Sequence, residues 1–174
     1  MTDPNSEADA TSGTPEDIDR SLPAEALSQL FQEVILDHYR SPKNKHGMDD
    51  ATHSVTMDNP LCGDVIELNL RVEDDRIADV SFQGQGCSIS QAAASMLTRE
   101  LKGQSLQAAR ELDEKFTQLM HGDDEYEDDP DLGELRALSG VSRFPVRIKC
   151  ALLGFNCLEE LIGENGGDED SAGE

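Results

Sequence analysis

Between Ile66 and Phe82 the chain alternates with a period of two. Ile66, Leu68, Leu70 and Val72 are apolar, while the intervening Glu67, Asn69 and Arg71 are polar. Such a run suits a strand with one buried and one wet face; wound into a helix, it would scatter its apolar side chains around the axis. Asp74-Asp75 interrupts the run as a turn, and Ala78, Val80 and Phe82 carry it back as a second strand. Val55 and Met57 alternate with polar neighbours just upstream and add a weaker first strand. A three-stranded antiparallel meander is therefore the centre of the expected fold.

The flanking segments read as helices. Leu27, Leu30, Phe31, Val34 and Ile35 share one helical face from Pro23 to Ser41-Pro42, where the proline stops the helix. After the meander, Ile89, Ala92, Ala93, Met96, Leu97 and Leu101 form one apolar stripe, with Ser88 or Ser90 as its cap. Gly103 ends it, and Ser105 opens another helix to about His121. Residues 122–130 are almost all acidic and read as a solvated loop, Asp131 to Ser139 as a short helix, and Pro145 to Gly163 as the last helix. Strands come together rather than alternating with helices, so the class is α+β: an N-terminal helix, a three-stranded sheet and a C-terminal helical half.

At 174 residues with 36% hydrophobic residues and no Trp, the chain suits one domain with an aliphatic core. Residues 1–20 and 164–174 are acidic and nearly free of apolar side chains, so both are expected to be disordered tails around a domain at 21–163. The net charge of −23 opposes binding to nucleic acid or to an anionic membrane. It is equally compatible with plain solubility and with adaptation to a salty interior. Only two small basic clusters interrupt it, Arg40 with Lys43 and Lys45, and Arg143 with Arg147 and Lys149. There is no signal-like apolar segment and no run long enough to span a membrane, so the expected location is cytoplasmic, where thiols stay reduced.

In that setting the cysteines carry the chemistry. Asn59-Pro60-Leu61-Cys62-Gly63-Asp64 puts a thiol and a carboxylate two positions apart at the mouth of a strand. Cys87 lies between the last strand and a helix start, where unpaired backbone N–H groups favour a thiolate. Cys150 follows Arg147 and Lys149 on the last helix, one step before the apolar Ala151. Taken singly, each has a plainer reading as a small buried residue. Together, Cys62, Asp64, Cys87 and Cys150 make a candidate tetrahedral metal site, suited to Zn²⁺ or to iron–sulfur, between which ligand softness alone does not choose. Asp64, a hard ligand among thiolates, is expected to be the weakest. Cys157 sits two helical turns beyond Cys150 and reads as a core residue. His38 and His46, at the exit of the first helix, read as surface or helix-end histidines.

Four stretches together closely resemble the IscU/NifU-like proteins of iron–sulfur cluster assembly: Tyr39-Arg40-Ser41-Pro42-Lys43-Asn44, Asn59 to Asp64, Gly84-Gln85-Gly86-Cys87-Ser88-Ile89-Ser90, and Phe144-Pro145-Val146-Arg147-Ile148-Lys149-Cys150. The resemblance runs from about Leu27 to Gly163. The long segment between the second and third cysteines, His121 to Val141, resembles the SufU branch. So does Lys149, which stands where the cluster scaffolds carry a histidine.

The resemblance implies a zinc-dependent sulfurtransferase that takes persulfide sulfur from a PLP-dependent cysteine desulfurase of the SufS type and passes it to a SufB-containing assembly complex. Zinc would be held by Cys62, Asp64, Cys87 and Cys150, with Cys62 the sulfur acceptor and Arg147 holding the reacting geometry. Two other readings stay open: an IscU-like scaffold that builds an iron–sulfur cluster on the same four ligands, and a zinc-stabilised interaction module without sulfur transfer.

Overall fold

The structure is a computed structural model. It describes residues 24–163, with side chains from Ser28 onward, so the two expected tails lie outside the described residues. The elements are α1 (Ala24–Arg40), β1 (His53–Asn59), β2 (Asp64–Glu73), β3 (Arg76–Gln85), α2 (Ser88–Leu101), α3 (Leu106–Met120) and α4 (Pro145–Ile162). Two 3₁₀ segments, Asp124–Tyr126 and Pro130–Arg143, separate α3 from α4.

The three strands form one antiparallel sheet in the order β1-β2-β3. Asp74 and Asp75 both have positive φ (54° and 63°), as a two-residue hairpin turn matched to the sheet's twist requires. The pairing slips between Arg71 and Val72, so that Arg71 faces Asp79 but Val72 faces Ile77. This bulge moves the alternation by one residue: Ile77, Val80 and Phe82 are buried, while Ala78, expected on the apolar face, is only half-buried. The polar face also differs at one place. Asn69 is buried because it bridges its two register partners, accepting from Ser54 Oγ at 2.6 Å and donating to Ser81 Oγ at 3.3 Å.

Ile66, Leu68, Leu70, Val80 and Phe82 give the sheet its buried face, against which α2 and α4 pack. A Cβ at Gly154 of α4 would lie 3.7 Å from Ala94 of α2, so the two helices meet through small residues. Phe116 of α3 and Phe155 of α4 stack with centroids 4.3 Å apart, closing the core on the far side. Ser105 caps α3 by accepting from the Ala108 N–H, as expected. Ser88 and Ser90 do not cap α2; Cys87 itself occupies that position, and Ser90 Oγ donates to the Cys87 carbonyl.

The acidic loop and the short helix take a different form from the one expected. Pro130–Arg143 is a 3₁₀ segment kinked at Gly133, whose φ of 53° breaks the helical path. Lys115 holds its start against α3 through Asp129 (3.0 Å) and Asp131 (2.8 Å), while Asp124 and Glu125 of the acidic loop are exposed, as expected of a solvated loop. His38 is buried, not superficial. Its Nδ1 meets Ser95 Oγ at 2.6 Å and its Nε2 meets Glu134 Oε1 at 2.7 Å, joining α1 to α2 and to the 3₁₀ segment. Burial pushes the Glu134 carboxyl up, but His38 and Arg99 beside it hold it below the usual range.

Candidate metal centre

Cys62 is placed by the turn between β1 and β2. The Asn59 carbonyl accepts the N–H groups of Cys62 (3.1 Å) and Gly63 (2.9 Å), and Gly63 supplies the positive φ of 73° that lets the chain reverse. Asn59 therefore pairs with Asp64, and β2 begins beside the thiol. Since Val65 pairs with Gln85 at the end of β3, Cys87 returns to the same edge two residues later. α4 packs across β1 and β2, which brings Cys150, in its second turn, to that edge as well.

The return of Cys87 demands glycine. Gly86 has φ 155°, and a Cβ there would collide with the Asp64 carboxylate and lie 2.7 Å from Ser90 Oγ. Gly84, at φ 144°, would collide with the Val65 carbonyl. Only backbone without a side chain lets β3 pass this close to β2 and Asp64.

Cys62 Sγ and Cys150 Sγ are 3.3 Å apart, too far for a disulfide bond, and both thiols are free. The donor atoms of Cys62, Asp64 and Cys150 all lie within 4.8 Å of one another. Cys87 stands just outside this group. Its N–H donates to Asp64 Oδ1 at 2.9 Å, while its sulfur interacts with Cys150 and with the Arg147 guanidinium. Of the four expected donors, three thus form a tight set and the fourth borders it.

Asp64 and Cys150 are fully buried. Cys150, expected apart from the apolar stripe of its helix, lies on the same buried side as Gly154 and Cys157. Burial pushes the Cys150 thiol far above its ordinary range, and Asp64, Cys62 and Cys87 around it push the same way. Asp64 Oδ2 is buried with no hydrogen-bond partner. A carboxylate oxygen left dry beside sulfur atoms costs several kcal/mol, roughly, unless a cation meets it. That orphaned oxygen, two sulfurs in reach and a third alongside form a donor set that fits Zn²⁺, which takes thiolate and carboxylate ligands in fours. Arg147, exposed at the rim, is held above the usual guanidinium range by the charge of Cys87 first, then that of Cys150 and Cys62. Leu61, next to Cys62 in the chain, and Phe144 and Val146, next to one another at the start of α4, are exposed apolar side chains.

Residues 30–151 match the family model of the NifU-like N-terminal domain. The chain belongs to the NifU-like N-terminal domain family. The zinc-dependent sulfurtransferase SufU of Bacillus subtilis is 45% identical over 143 residues, 82% of this chain and 96% of that protein. The iron–sulfur cluster assembly scaffold protein IscU of Streptococcus pyogenes is 40% identical over 136 residues, 78% of this chain and 84% of that one. A crystal structure of a proposed iron–sulfur cluster assembly scaffold protein for the SUF system from Fervidobacterium islandicum superposes with a TM-score of 0.65 at 30% identity, covering 73% of this chain and 92% of that one. The α+β architecture read from the sequence is the NifU-like one. The donor set suits zinc, and an iron–sulfur cluster is consistent with the IscU relatives.

Two buried polar residues near the thiols in the chain were not among the expected site residues. Asn59 is buried and points its Nδ2 at Cys150 Sγ, 3.9 Å away. The signal was its place as the strand's last residue, across from Asp64. Gln91, buried one turn into α2, donates to Ser90 Oγ and leaves its Oε1 unpartnered. Cys157 is core, as expected: it is fully buried, its thiol is pushed up to about 12 by burial, and it reaches the Ile66 carbonyl at 3.6 Å. His46 is exposed and His38 is the buried tie described above, so neither joins the site. No helix among the described residues is long and apolar enough to cross a membrane.

Proposed function

We propose that this protein is a zinc-dependent sulfur carrier, accepting sulfur from the persulfide of a PLP-dependent cysteine desulfurase of the SufS type and passing it to a SufB-containing assembly complex. The observation that carries the reading is the buried, orphaned Asp64 oxygen beside the Cys62–Cys150 sulfur pair. The similarity to the Bacillus subtilis sulfurtransferase, which covers nearly all of that protein, supports it.

Zinc would be held by Cys62, Asp64, Cys87 and Cys150, and when bound it keeps the thiols deprotonated and protected. Cys62 is the reacting group in this proposal, being half-buried while Cys150 is fully buried, and it sits on a turn rather than a helix. Freed as a thiolate, Cys62 Sγ attacks the outer sulfur of the donor persulfide. A new S–S bond forms at Cys62, the donor's S–S bond breaks, and the donor cysteine leaves as a thiolate. One sulfur atom has moved, and no external oxidant or reductant is needed. Arg147, whose guanidinium already meets Cys87, would hold the negative charge that passes between the sulfurs.

The scaffold reading rests on the IscU relatives and on the same four ligands. Lys149 weighs against it, since the position that resembles the scaffolds' histidine here carries an exposed ammonium. Incubation with a SufS-type desulfurase and free cysteine, followed by mass spectrometry of the tryptic peptides, tests the proposal. One added sulfur on the Cys62 peptide, absent in Cys62→Ala, is the expected result. Sulfur found only on Cys87 or Cys150 would overturn the assignment of Cys62.

A further inference from the structure

Asn59 is the last residue of β1 and is 7% exposed, and its carbonyl and both ends of its side chain turn toward the thiol site. The carbonyl accepts the N–H groups of Cys62 and Gly63, Oδ1 accepts the Leu61 N–H at 3.2 Å, and Nδ2 donates to Cys150 Sγ at 3.9 Å. Across the sheet Asn59 pairs with Asp64. The Oδ1 bond closes the turn from the side-chain end, as an asparagine does when its short amide stands in for a backbone carbonyl. One residue therefore shapes the turn that carries Cys62 and, from the other end of its amide, faces the sulfur that α4 delivers.

The four donors differ in what holds them. Asp64 Oδ1 takes the Cys87 N–H, Cys87 meets the Arg147 guanidinium, and Cys150 takes the Asn59 amide. Cys62 Sγ alone of the four accepts no N–H from any described residue; the hydrogen bond it takes comes from the Cys150 thiol at 3.3 Å. An N–H aimed at a thiolate draws charge from the sulfur, which makes it a poorer nucleophile and fixes its orientation as a metal ligand. Burial acts in the same direction. Cys150 is fully buried on a helix, while Cys62 is half-buried on a turn and is followed by Gly63 at positive φ. Three donors are fastened and one is loose.

We propose that Asn59 is a positioning residue for the sulfur transfer, its side-chain amide holding Cys150 in place while its carbonyl presents Cys62, so that Cys62 is the thiol that leaves to react. This rests on the zinc-held donor set proposed above and adds the reason why one thiol is chosen over the others. Asn59→Ser separates the two ends of the side chain: a serine hydroxyl still accepts the Leu61 N–H but is too short to reach Cys150. Asn69→Ser, the same change at a buried asparagine whose amide bonds Ser54 and Ser81 instead, is the control. With cobalt(II) in place of zinc in the full-length proteins, the thiolate-to-cobalt charge-transfer bands of Asn59→Ser are expected at longer wavelength than the parent's, since a sulfur that has lost its N–H gives up an electron more easily, while Asn69→Ser keeps the parent's bands. In the zinc-loaded proteins, N-ethylmaleimide followed by mass spectrometry of the tryptic peptides should find Cys62 modified first in the parent, and the share of Cys150 raised about tenfold in Asn59→Ser. Unshifted bands in Asn59→Ser would overturn the proposal, and so would a shift equal to that of Asn69→Ser or an unchanged share of Cys150. A parent that binds neither cobalt nor zinc would overturn the zinc reading as well, a result distinct from metal bound with an unshifted spectrum. Should Asn59→Ser fail to fold, the parent loaded with a magnetic cadmium isotope answers alone: nuclear spin coupling from the metal through Cys150 Sγ to the Asn59 side-chain N–H is expected, and its absence with cadmium bound would overturn the proposal.

Discussion

At the scale of single residues, Asp64 has two tasks that a substitution can separate. Oδ1 takes the Cys87 N–H, a bond that an amide oxygen can also accept, whereas Oδ2 is buried and meets no hydrogen-bond donor. Asp64→Asn is therefore expected to retain the turn and lose metal. Metal-free, the variant should be more stable than the parent by about 1–3 kcal/mol, because an uncompensated buried charge has gone. With zinc added, the order should reverse. Urea midpoints with and without chelator check this, and the same order in both conditions would contradict it. Gly86 is the other decisive residue. Gly86→Ala must move a Cβ out of the Asp64 carboxylate at φ 155°, so it should cost roughly 2 kcal/mol or more and disturb the site, while Gly140→Ala, with open space around it, should cost far less. Matching thermal midpoints for the two variants would show that the close approach of β3 to Asp64 does not matter.

At the scale of elements, the seam between α3 and α4 contains a pH-dependent strain. Asp113 of α3 is half-buried, and burial, with Glu159 of α4 adding its charge, pushes its carboxyl up to about 7, while Thr117 pulls it down. In the unfolded chain the same group titrates near ~3.9. Between those values the native state holds a proton that the unfolded state has released, so this contribution to stability is full below about pH 4 and is lost as the pH rises through about 7. Asp113→Asn should remove the dependence and add on the order of 1–2 kcal/mol at pH 8, after allowance for solvent screening. Denaturation at pH 5 and pH 8 measures it, and an unchanged slope in the variant would rule the assignment out. The elements also show what a sequence can disclose. The meander was legible because period two is written locally, in Ile66 to Val72. The change from Ala78 to Ile77 was not, because the bulge after Arg71 arises in the pairing of two strands rather than in either one. The kink in Pro130–Arg143 likewise belongs to packing: Gly133 takes a φ of 53° where the segment passes the Glu100 carboxylate of α2.

At the scale of the whole molecule, the sheet edge collects what the sequence scatters. Cys62, Asp64, Cys87 and Cys150 were legible as candidates from residue type and from their places at element ends. Their convergence depends on register, Asn59 with Asp64 and Val65 with Gln85, which no single strand reveals. The burial of Cys150 was readable in hindsight from its spacing to Gly154 and Cys157, four and seven residues along one helix face. His38 was harder, since its partners Ser95 and Glu134 come from two other segments and nothing near it in the chain signals a buried network. In a chain of net charge −23, Arg147 stands exposed beside the thiols, which suits a reaction that gathers negative sulfur. The central claim is that these donors hold zinc rather than a cluster. Elemental analysis with a visible spectrum, on protein purified anaerobically without added metal, tests it most directly. The account predicts about one zinc per chain and no colour, as a zinc site of thiolate and carboxylate donors would give. Iron with sulfide and a brown absorbance would contradict it and make the protein a cluster scaffold.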